Sequence, residues 1–303
     1  MMDDKPSTPP RRRVAVVINP TRPELAADLL AALEAADPRL DVEVLSVEDP
    51  DQMADGVRRA ITTEPTIVAA VGGDGTQHTA ANCIRGSDHA LAVVPGGTVN
   101  LLGQVLGIRT VEDSVRAILG GAVRTMDMGT IDGEPFLLSA GTGFDARVMR
   151  DTDDGAKRFG RLGYLITGLR ALRADRPRPV TVLVDGQQVF TGRAMSVIVA
   201  NVGQRASADF TMLPDARLDD GRIDVLVQRC DTALSIARAG VALARGRRPR
   251  DDDAVMGQGT RIEVRWARSV WAQRDGDAAH KGRRFTYGVL PGVLRVCVPP
   301  GQE

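Results

Sequence analysis

The first third of the chain alternates short apolar runs with longer segments whose apolar residues recur at helical spacing. This pattern predicts strands at 14–18, 42–47, 67–71 and 91–94, and helices at 24–36, 51–63, 76–85, 98–107 and 110–120. In the first helix, for example, Leu25, Leu29 and Leu33 repeat at every fourth position and so share one face. Strands that alternate with helices in this way predict an α/β domain with a doubly wound parallel sheet.

Beyond about residue 128, the helical spacing gives way to apolar runs separated by Asp-Gly pairs. Such pairs favour tight turns between antiparallel strands. The pairs begin at Asp132, Asp185, Asp220 and Asp275, and the clearest strands are 179–184, 189–201, 222–228, 260–266 and 293–298. A second domain that is mainly antiparallel β, of the β-sandwich type, is therefore predicted, with helices at about 156–174 and 231–245.

Composition narrows the class of protein. The 39 basic and 39 acidic side chains give zero net charge, which argues against a general nucleic-acid binder. The chain has no apolar run of about 18 residues, the length of a membrane span, and its polar N-terminal stretch lacks a signal-peptide core. The three cysteines are scattered without metal-ligand spacing, as expected for thiols in a reducing compartment. We therefore expect a cytoplasmic protein.

Two glycine-rich turns carry the candidate chemistry. Gly72-Gly73-Asp74-Gly75-Thr76 follows the third predicted strand, and Pro95-Gly96-Gly97-Thr98 follows the fourth. Glycines let backbone N–H groups approach an anion, and a following helix adds positive charge at its N-terminus. Ligands of open α/β sheets bind beyond the carboxyl ends of the strands, so both turns should face one crevice. The pattern predicts a nucleotide site, with an ordinary strand-to-helix turn as the competing interpretation.

These motifs together resemble the diacylglycerol kinase catalytic family, which includes sphingosine and ceramide kinases and soluble bacterial lipid kinases. The resemblance rests on the Gly-Gly-Asp-Gly-Thr loop at 72–76 and the Pro-Gly-Gly-Thr-Val-Asn loop at 95–100. Two later stretches, 214–221 and 273–277, look like the family's metal-bearing turn and its catalytic Asp-Gly-Glu motif. The first glycine loop alone is shared with NAD kinases and phosphofructokinases, whereas the pair is specific.

The resemblance implies a role for individual residues. The expected ATP contacts are Gly72, Gly73, Asp74, Gly75, Thr76, Gln77, His78, Gly96, Gly97, Thr98 and Asn100, with Ser46 as a weaker contact. Asp275 would be the general base on the lipid hydroxyl, with Asp277 as the acidic residue that completes the catalytic motif. Asp215, the Leu218 carbonyl and Asp220 would hold a structural magnesium ion.

The sequence departs from the family pattern in several places. His78 and Thr79 stand where many relatives have Asn and Glu, and Leu101 replaces an acidic residue. Asp277 is one methylene shorter than the usual Glu, and the loop after Asn19 lacks a glycine common in the family. The proposed base is retained.

Phosphoryl transfer requires neutralised phosphate charge, in-line alignment and a base for the attacking hydroxyl. Backbone N–H groups of the two loops could cradle the phosphates, because none of Lys5, Lys157 and Lys281 lies in a P-loop setting. From the residues alone, Asp275-Gly276 and Asp220-Gly221 are more simply explained as hairpin turns.

Residues 157–178 combine an apolar stripe at helical spacing with an arginine-rich flank. Such a segment suits a protein that visits an anionic membrane surface. A helix packed into the core with a solvated arginine face explains the same pattern, and both interpretations stay open.

We therefore expect a cytoplasmic, peripherally membrane-associated kinase that uses ATP and Mg²⁺ to phosphorylate the hydroxyl of a lipid such as diacylglycerol. The expected partners are the lipid and the anionic membrane surface, without nucleic acid, and a homodimer is left open. An NAD kinase-like enzyme and a catalytically silent nucleotide- or lipid-binding regulator are the alternatives. The predicted segments are a disordered tail (1–13), a nucleotide-binding domain (14–128), a lipid-substrate domain (129–290) and a C-terminal strand able to return to the first domain (291–303).

Overall fold

The computed structural model describes residues 13–151, 176–202, 205–207, 210–211, 213, 216–229, 235, 238, 250 and 252–302. Contacts divide these residues into two compact units. The first unit contains the described residues up to Gly97, Leu106–Arg124 and those from Arg295 onward. The second contains Thr98–Val105 and the described part of Thr125–Leu294, so the division falls inside the second glycine loop. The predicted helix at 156–174, most of that at 231–245, and Asp215 lie outside the described residues.

The helices of the described chain are α1 Pro23–Ala36, α2 Met53–Ile61, α3 Asp74–Ile84, α4 Leu101–Val105, α5 Val111–Gly120 and α6 Phe144–Asp151. The strands of its first half are β1 Arg13–Ile18, β2 Asp41–Ser46, β3 Ile67–Gly72, β4 Ala90–Pro95, β5 Val123–Ile131, β6 Glu134–Phe136 and β7 Ser139–Gly143. The later strands are β8 Arg178–Val184, β9 Gln187–Ala194, β10 Ser196–Ala200, β11 Arg205–Ser207, β12 Phe210–Thr211, β13 Ile223–Gln228, β14 Ala254–Gly259, β15 Arg261–Arg274 and β16 Asp277–Cys297.

The first unit is built on parallel strands in the order β2-β1-β3-β4. Val14 of β1 lies opposite both Val42 and Ile67, and Ile67 lies opposite Ala90. The end of β16 joins this sheet, where Arg295 pairs in parallel with Ala90. Every residue of β3 is buried, as expected when helices cover both faces of a parallel sheet. The predicted doubly wound α/β sheet is confirmed.

The second unit is mainly antiparallel. Its strands include the order β14-β13-β10-β7-β15, with β8 paired to β15 and β9 to β8. Phe136, Trp266 and Tyr287, from three separate strands, are buried in its hydrophobic core. Large aromatic side chains supply much of the buried apolar area that stabilises such a core. The predicted antiparallel β-rich fold is confirmed, although 189–201 forms β9 and β10 rather than one strand.

Three of the four Asp-Gly pairs form the predicted hairpin turns. Their aspartates and glycines all have positive φ, as type I′ turns require. They connect β5 to β6 (Asp132-Gly133), β8 to β9 (Asp185-Gly186) and β15 to β16 (Asp275-Gly276). The prediction is wrong at Asp220-Gly221, because the described residues just before this pair form no strand. The Gly221 amide instead donates to the Asp127 carboxylate.

None of the described helices is long and apolar enough to cross a membrane.

Candidate active site

The carboxyl ends of β1, β3 and β4 meet at one edge of the first unit's sheet. The amide of Asn19, just after β1, donates to the Val71 carbonyl at 3.1 Å. The Gly96 amide donates to the Gly72 carbonyl at 2.8 Å and so joins the two glycine loops. Parallel strands deliver their following loops to the same edge, which is where open α/β sheets bind ligands. Three loops, rather than the two singled out from the sequence, therefore surround the candidate site.

Close packing explains two of the glycines in these loops. A Cβ atom on Gly73 would lie 3.1 Å from the Gly97 Cα, and one on Gly96 would lie 3.1 Å from the Gly72 Cα. Both contacts are to backbone atoms, which cannot swing away as a flexible side chain could. Gly75 differs, because a Cβ atom there would meet nothing within 4 Å. The open space beside Gly75 is available to a ligand.

Gln77 supports the loops from beneath. Its side chain is 2% exposed, and its Nε2 donates to the carbonyls of Ala70 (2.8 Å), Gly72 (3.3 Å) and Val94 (3.4 Å). These acceptors belong to β3 and β4, so one amide group ties together the two strands that carry the glycine loops. These contacts make Gln77 a positioning residue for the two loops, and its contact with ATP stays a prediction.

The loop after β1 adds two polar residues that the sequence pattern did not single out. Asn19 Nδ2 donates to the hydroxyl of Thr76 at 2.9 Å, and Asn19 Oδ1 accepts from the Thr21 amide at 3.0 Å. Arg22 is exposed, and its Nε donates to the Gly96 carbonyl. A guanidinium is thereby held against the second glycine loop. The sequence feature that could have identified Arg22 is its position shortly after β1, a strand that ends at the same edge of the sheet as β3 and β4.

The first turn of α3 begins directly at the first glycine loop. Gly73 is the N-cap, and no side chain caps its helix. Asp74 occupies the first helical position, and the Gln77 amide donates to the Gly73 carbonyl at 3.1 Å. The N-terminal amides of a helix with its positive dipole end form a common anion-binding arrangement. His78 lies half-buried on the same helix.

The remaining predicted nucleotide contacts occupy different settings. Ser46 is the exposed last residue of β2, opposite Ile18 of β1. Thr98 is exposed, and Asn100 has a positive φ of 51° while its carbonyl accepts from the Gln104 amide at 2.9 Å. Thr98 and Asn100 belong to the second unit, whereas Gly72, Gly73, Gly96 and Gly97 come together in the first.

The Asp275 carboxylate, in the second unit, is held by three consecutive backbone amides. Its Oδ2 accepts from the Leu137 amide at 2.7 Å, and its Oδ1 accepts from the amides of Leu138 (2.7 Å) and Ser139 (2.9 Å). The Asp275 amide also donates to the Ser139 carbonyl at 2.8 Å. Hydrogen bonds to an ionised group are about twice as strong as neutral ones, so this cradle fixes the carboxylate firmly. Asp277, two residues on, is exposed at the start of β16.

Two of the three predicted metal ligands, Leu218 and Asp220, lie among the described residues. The Leu218 carbonyl accepts from the Asp127 amide at 2.6 Å, and Asp220 accepts from the Arg222 amide and from Gln258 Nε2. These oxygens are of the type that Mg²⁺ prefers, but protein donors already engage them. Asp215 lies outside the described residues. Within the described part of the chain, no group of three or more His, Cys, Asp or Glu could hold a metal ion.

Asp127 is a buried acid that sequence reasoning missed. It is 2% exposed on β5, and its two carboxylate oxygens accept from the amides of Gly221 and Gly292, each at 2.7 Å. It therefore ties the bend at Gly221 to β16, and both are far away from Asp127 in sequence. The sequence feature that could have identified Asp127 is a single aspartate between two methionines in an apolar strand. Acids are rarely buried without a partner, so an aspartate at such a position indicates a specific contact.

Family models match most of the chain. Residues 13–131 match the diacylglycerol kinase catalytic domain, and residues 139–298 match the YegS C-terminal NAD kinase beta sandwich-like domain. The chain belongs to this family of lipid kinases. It is 27% identical to the diacylglycerol kinase of Bacillus subtilis, with 78% of this chain and 76% of the relative covered. It is 30% identical to the "Probable lipid kinase YegS-like" protein of Pseudomonas aeruginosa, with 81% and 80% covered.

Solved structures show the same fold. A diacylglycerol kinase structure from Bacillus anthracis str. Sterne superposes with a TM-score of 0.73 at 18% identity, covering 98% of this chain and all of that one. An NAD kinase from Archaeoglobus fulgidus, solved in complex with ATP, superposes with a TM-score of 0.54 at 14% identity, covering 96% and 95%. At these identities the likeness concerns the fold alone.

Proposed function

We propose that the protein transfers the γ-phosphoryl group of ATP to a hydroxyl of a lipid such as diacylglycerol. The observation that carries this proposal is the close approach of Gly73 to Gly97 and of Gly96 to Gly72 at the carboxyl edge of the parallel sheet. Membership of the lipid kinase family supports the reaction class. Backbone amides that face an anion from two loops can stabilise phosphate charge without a lysine.

Within this proposal, the two glycine loops bind the nucleotide. The α3 N-terminus and the amides of the glycine loops receive the phosphates, and the open space beside Gly75 leaves room for them. Thr98 and Asn100 continue the second loop, and Ser46 contributes a weaker contact. Arg22 adds the guanidinium, since arginine binds phosphate oxygens through a planar set of N–H donors.

Asp275 is the proposed general base, and Asp277 the acidic residue that assists it. A base must hold its carboxylate in place while it takes the proton of the attacking hydroxyl. The three amides that donate to Asp275 hold its carboxylate in place. The same cradle is also explained as a structural tie between the β15–β16 hairpin and β7, so activity and stability must be measured together.

Magnesium is proposed as the ion that accompanies ATP, because phosphoryl transfer uses a divalent cation to neutralise phosphate charge. Asp215, Leu218 and Asp220 stay the predicted ligands of a second, structural ion. Since the described residues form no metal cluster, we assign no step of the reaction to a protein-held ion.

A cytoplasmic location and contact with anionic membranes complete the proposal, and a homodimer is left open. The supporting sequence feature is the arginine-flanked apolar segment at 157–178, most of which lies outside the described residues. Lipid substrates reside in membranes, so the proposed enzyme would meet its substrate at the membrane surface.

The central experiment measures ADP formation by the wild-type chain with vesicles that contain a panel of candidate lipids, with and without Mg²⁺. We expect turnover that depends on both ATP and a lipid bearing a free hydroxyl. ATP-dependent formation of NADP would favour the NAD kinase alternative, whose fold this chain shares. Tight ATP binding without turnover on any lipid would favour the silent regulator.

A second experiment tests the nucleotide site through Arg22. Arg22→Gln should raise the KM for ATP about tenfold while leaving the KM for lipid unchanged, because one phosphate contact is lost. Arg59→Gln is the matched control, since it removes the same charge from an exposed position on α2 of the same unit. Equal KM values for ATP in both variants would contradict the assigned role of Arg22.

A further inference from the structure

A second polar site lies in the second unit, around a pocket of about 190 Å³. Its described lining contains the cations Arg147, Arg150, Arg176, Arg178 and Lys281, and none of its described lining residues is acidic. Concave surfaces lined by one sign of charge focus the field and concentrate ions of the opposite sign. The pocket is therefore strongly suited to an anion.

The fold brings these cations together from α6, β8 and β16, with Arg176 just before β8. Gly143 has a positive φ of 93° and turns the chain from β7 into α6, where Arg147 and Arg150 lie one helical turn apart. Arg178 begins β8, which pairs with β15, and its Nη1 donates to the Ser269 carbonyl at 3.4 Å. Lys281 lies directly opposite Trp271 in the β15–β16 ladder. The strand register thus builds this pocket from residues that are distant in sequence.

Part of the pocket lining is apolar. Phe144, Met195 and Val270 line it together with Trp271, and the Arg150 guanidinium lies 5.1 Å from the Trp271 ring centroid. This cation–π contact fixes the arginine at the rim of the pocket. Apolar lining residues can contact the carbon part of a phosphate ester, while the arginines bind its oxygens.

Pocket size limits the ligand. The volume of 190 Å³ is below the roughly 300–1,000 Å³ of pockets for drug-sized molecules, and far above the space for one water. Acyl chains would not fit, whereas a phosphate group with a short carbon stem would. Asp275 is not among the described residues that line the pocket.

We propose that this pocket binds a phosphate-type anion, either a free phosphate or phosphate ester or the phosphate of an anionic lipid headgroup. Arginine is the favoured residue for phosphate because its planar donors match the oxygens bidentately. The binding does not depend on the proposed kinase reaction, because it needs neither ATP nor turnover. A lipid headgroup held here would orient the second unit on an anionic membrane.

The test uses the full chain without nucleotide. Inorganic phosphate is titrated while tryptophan fluorescence is recorded, because Trp271 lines the pocket whereas Trp266, the other tryptophan, is 3% exposed. In parallel, co-sedimentation compares neutral phosphatidylcholine vesicles with vesicles containing phosphatidic acid. In the titration, we expect a saturable change in tryptophan fluorescence that is absent in Trp271→Phe. In the co-sedimentation, we expect binding to the phosphatidic acid vesicles but not to the neutral ones. Either result, or both, supports the proposal. The first result identifies free phosphate as a source, and the second the lipid headgroup.

Variants assign the binding to the pocket. Arg147→Gln/Arg150→Gln should weaken the observed binding about 30-fold, since each cation contributes to the attraction of an anionic surface or group. The control variant Arg39→Gln/Arg59→Gln removes the same charge from exposed positions in the first unit. It should change the affinity for phosphate or anionic vesicles less than threefold. Lys281→Gln, at an exposed strand position, repeats the test if the double variant fails to fold. Equal loss in the pocket and control variants, or no binding in either arm, would overturn the proposal.

Discussion

Asp275→Asn separates the two explanations of the amide cradle. In the wild type, three backbone amides donate to the two carboxylate oxygens at 2.7–2.9 Å. Asparagine retains one oxygen, which can still accept from the amides of Leu138 and Ser139. Its Nδ2 would face the Leu137 amide as a second donor, so that hydrogen bond is lost.

The expected cost follows from these contacts. A hydrogen bond to a charged group contributes about 1.5–3 kcal/mol, and a partly buried amide left without a partner costs about 1–3 kcal/mol. Part of the loss is offset by the two bonds that asparagine keeps in neutral form. We therefore expect Asp275→Asn to lower the free energy of unfolding of the second unit by about 2–4 kcal/mol.

Denaturant unfolding monitored by tryptophan fluorescence measures this change, because Trp266 and Trp271 both belong to the second unit. Asp277→Asn is the matched stability control. It makes the same chemical change two residues away, at an exposed position, and should alter the free energy of unfolding by less than about 0.5 kcal/mol. Turnover of ATP is then measured under conditions where the variant is fully folded.

Two results would refute the reasoning separately. If Asp275→Asn is as stable as the wild type, the amide cradle does not stabilise the fold. If the folded variant turns over ATP with lipid at the wild-type rate, Asp275 is not the general base. A loss of stability without a loss of turnover would leave Asp275 with a structural role only.

The remaining predictions concern the glycine loops and one surface turn. Gly73→Ala should destabilise the first unit by about 1–3 kcal/mol and weaken ATP binding, because the new Cβ would crowd the Gly97 backbone. Calorimetric unfolding measures the loss of stability, and ATP titration measures the loss of affinity. Gly75→Ala should leave the free energy of unfolding unchanged or raise it by about 0.5–1 kcal/mol, because alanine favours a helix. Weaker ATP binding by this stable variant would indicate that ATP fills the open space beside Gly75. Gln77→Leu should cost about 1–3 kcal/mol by removing the amide that ties β3 to β4, and an unchanged denaturant midpoint would contradict this. The pKa of Asp185 is lowered, chiefly by the hydrogen bond from the Arg261 amide. The ionised carboxylate therefore stabilises the fold above about pH 4, near the pKa of an unfolded aspartate. This stabilisation is lost as the pH falls through the folded-state pKa of Asp185. Asp185→Asn should therefore flatten the fall in stability with acid, and a pH profile parallel to that of the wild type would argue against this carboxylate.

The local sequence was sufficient for most elements of the first unit and for three of the hairpin turns. Apolar periodicity distinguishes the strands and helices of the first unit because it records which face each element buries. Asp132-Gly133, Asp185-Gly186 and Asp275-Gly276 were predictable because few residue pairs adopt positive φ at both central positions of a turn. The same rule failed at Asp220-Gly221, where the glycine amide is used by Asp127 rather than by a hairpin.

The glycine loops were predictable as motifs, but their supports were not. Gln77 reads as a polar helix residue, and only the packing of α3 beneath β3 and β4 turns its amide towards three carbonyls. Arg22 has no motif of its own, and only the shared edge of the sheet brings it to Gly96.

By itself, the sequence determined the two kinds of sheet, the glycine loops and most of the turns, because each depends on residues that are near one another in the chain. Tertiary structure decided what each acid and cation contacts. Asp275 meets the Leu137 amide across 138 residues, and Asp127 meets the Gly292 amide across 165. The physical reason is that these contacts depend on which distant strands pair with one another, β15 with β7 and β5 with β16, and no local pattern encodes that pairing.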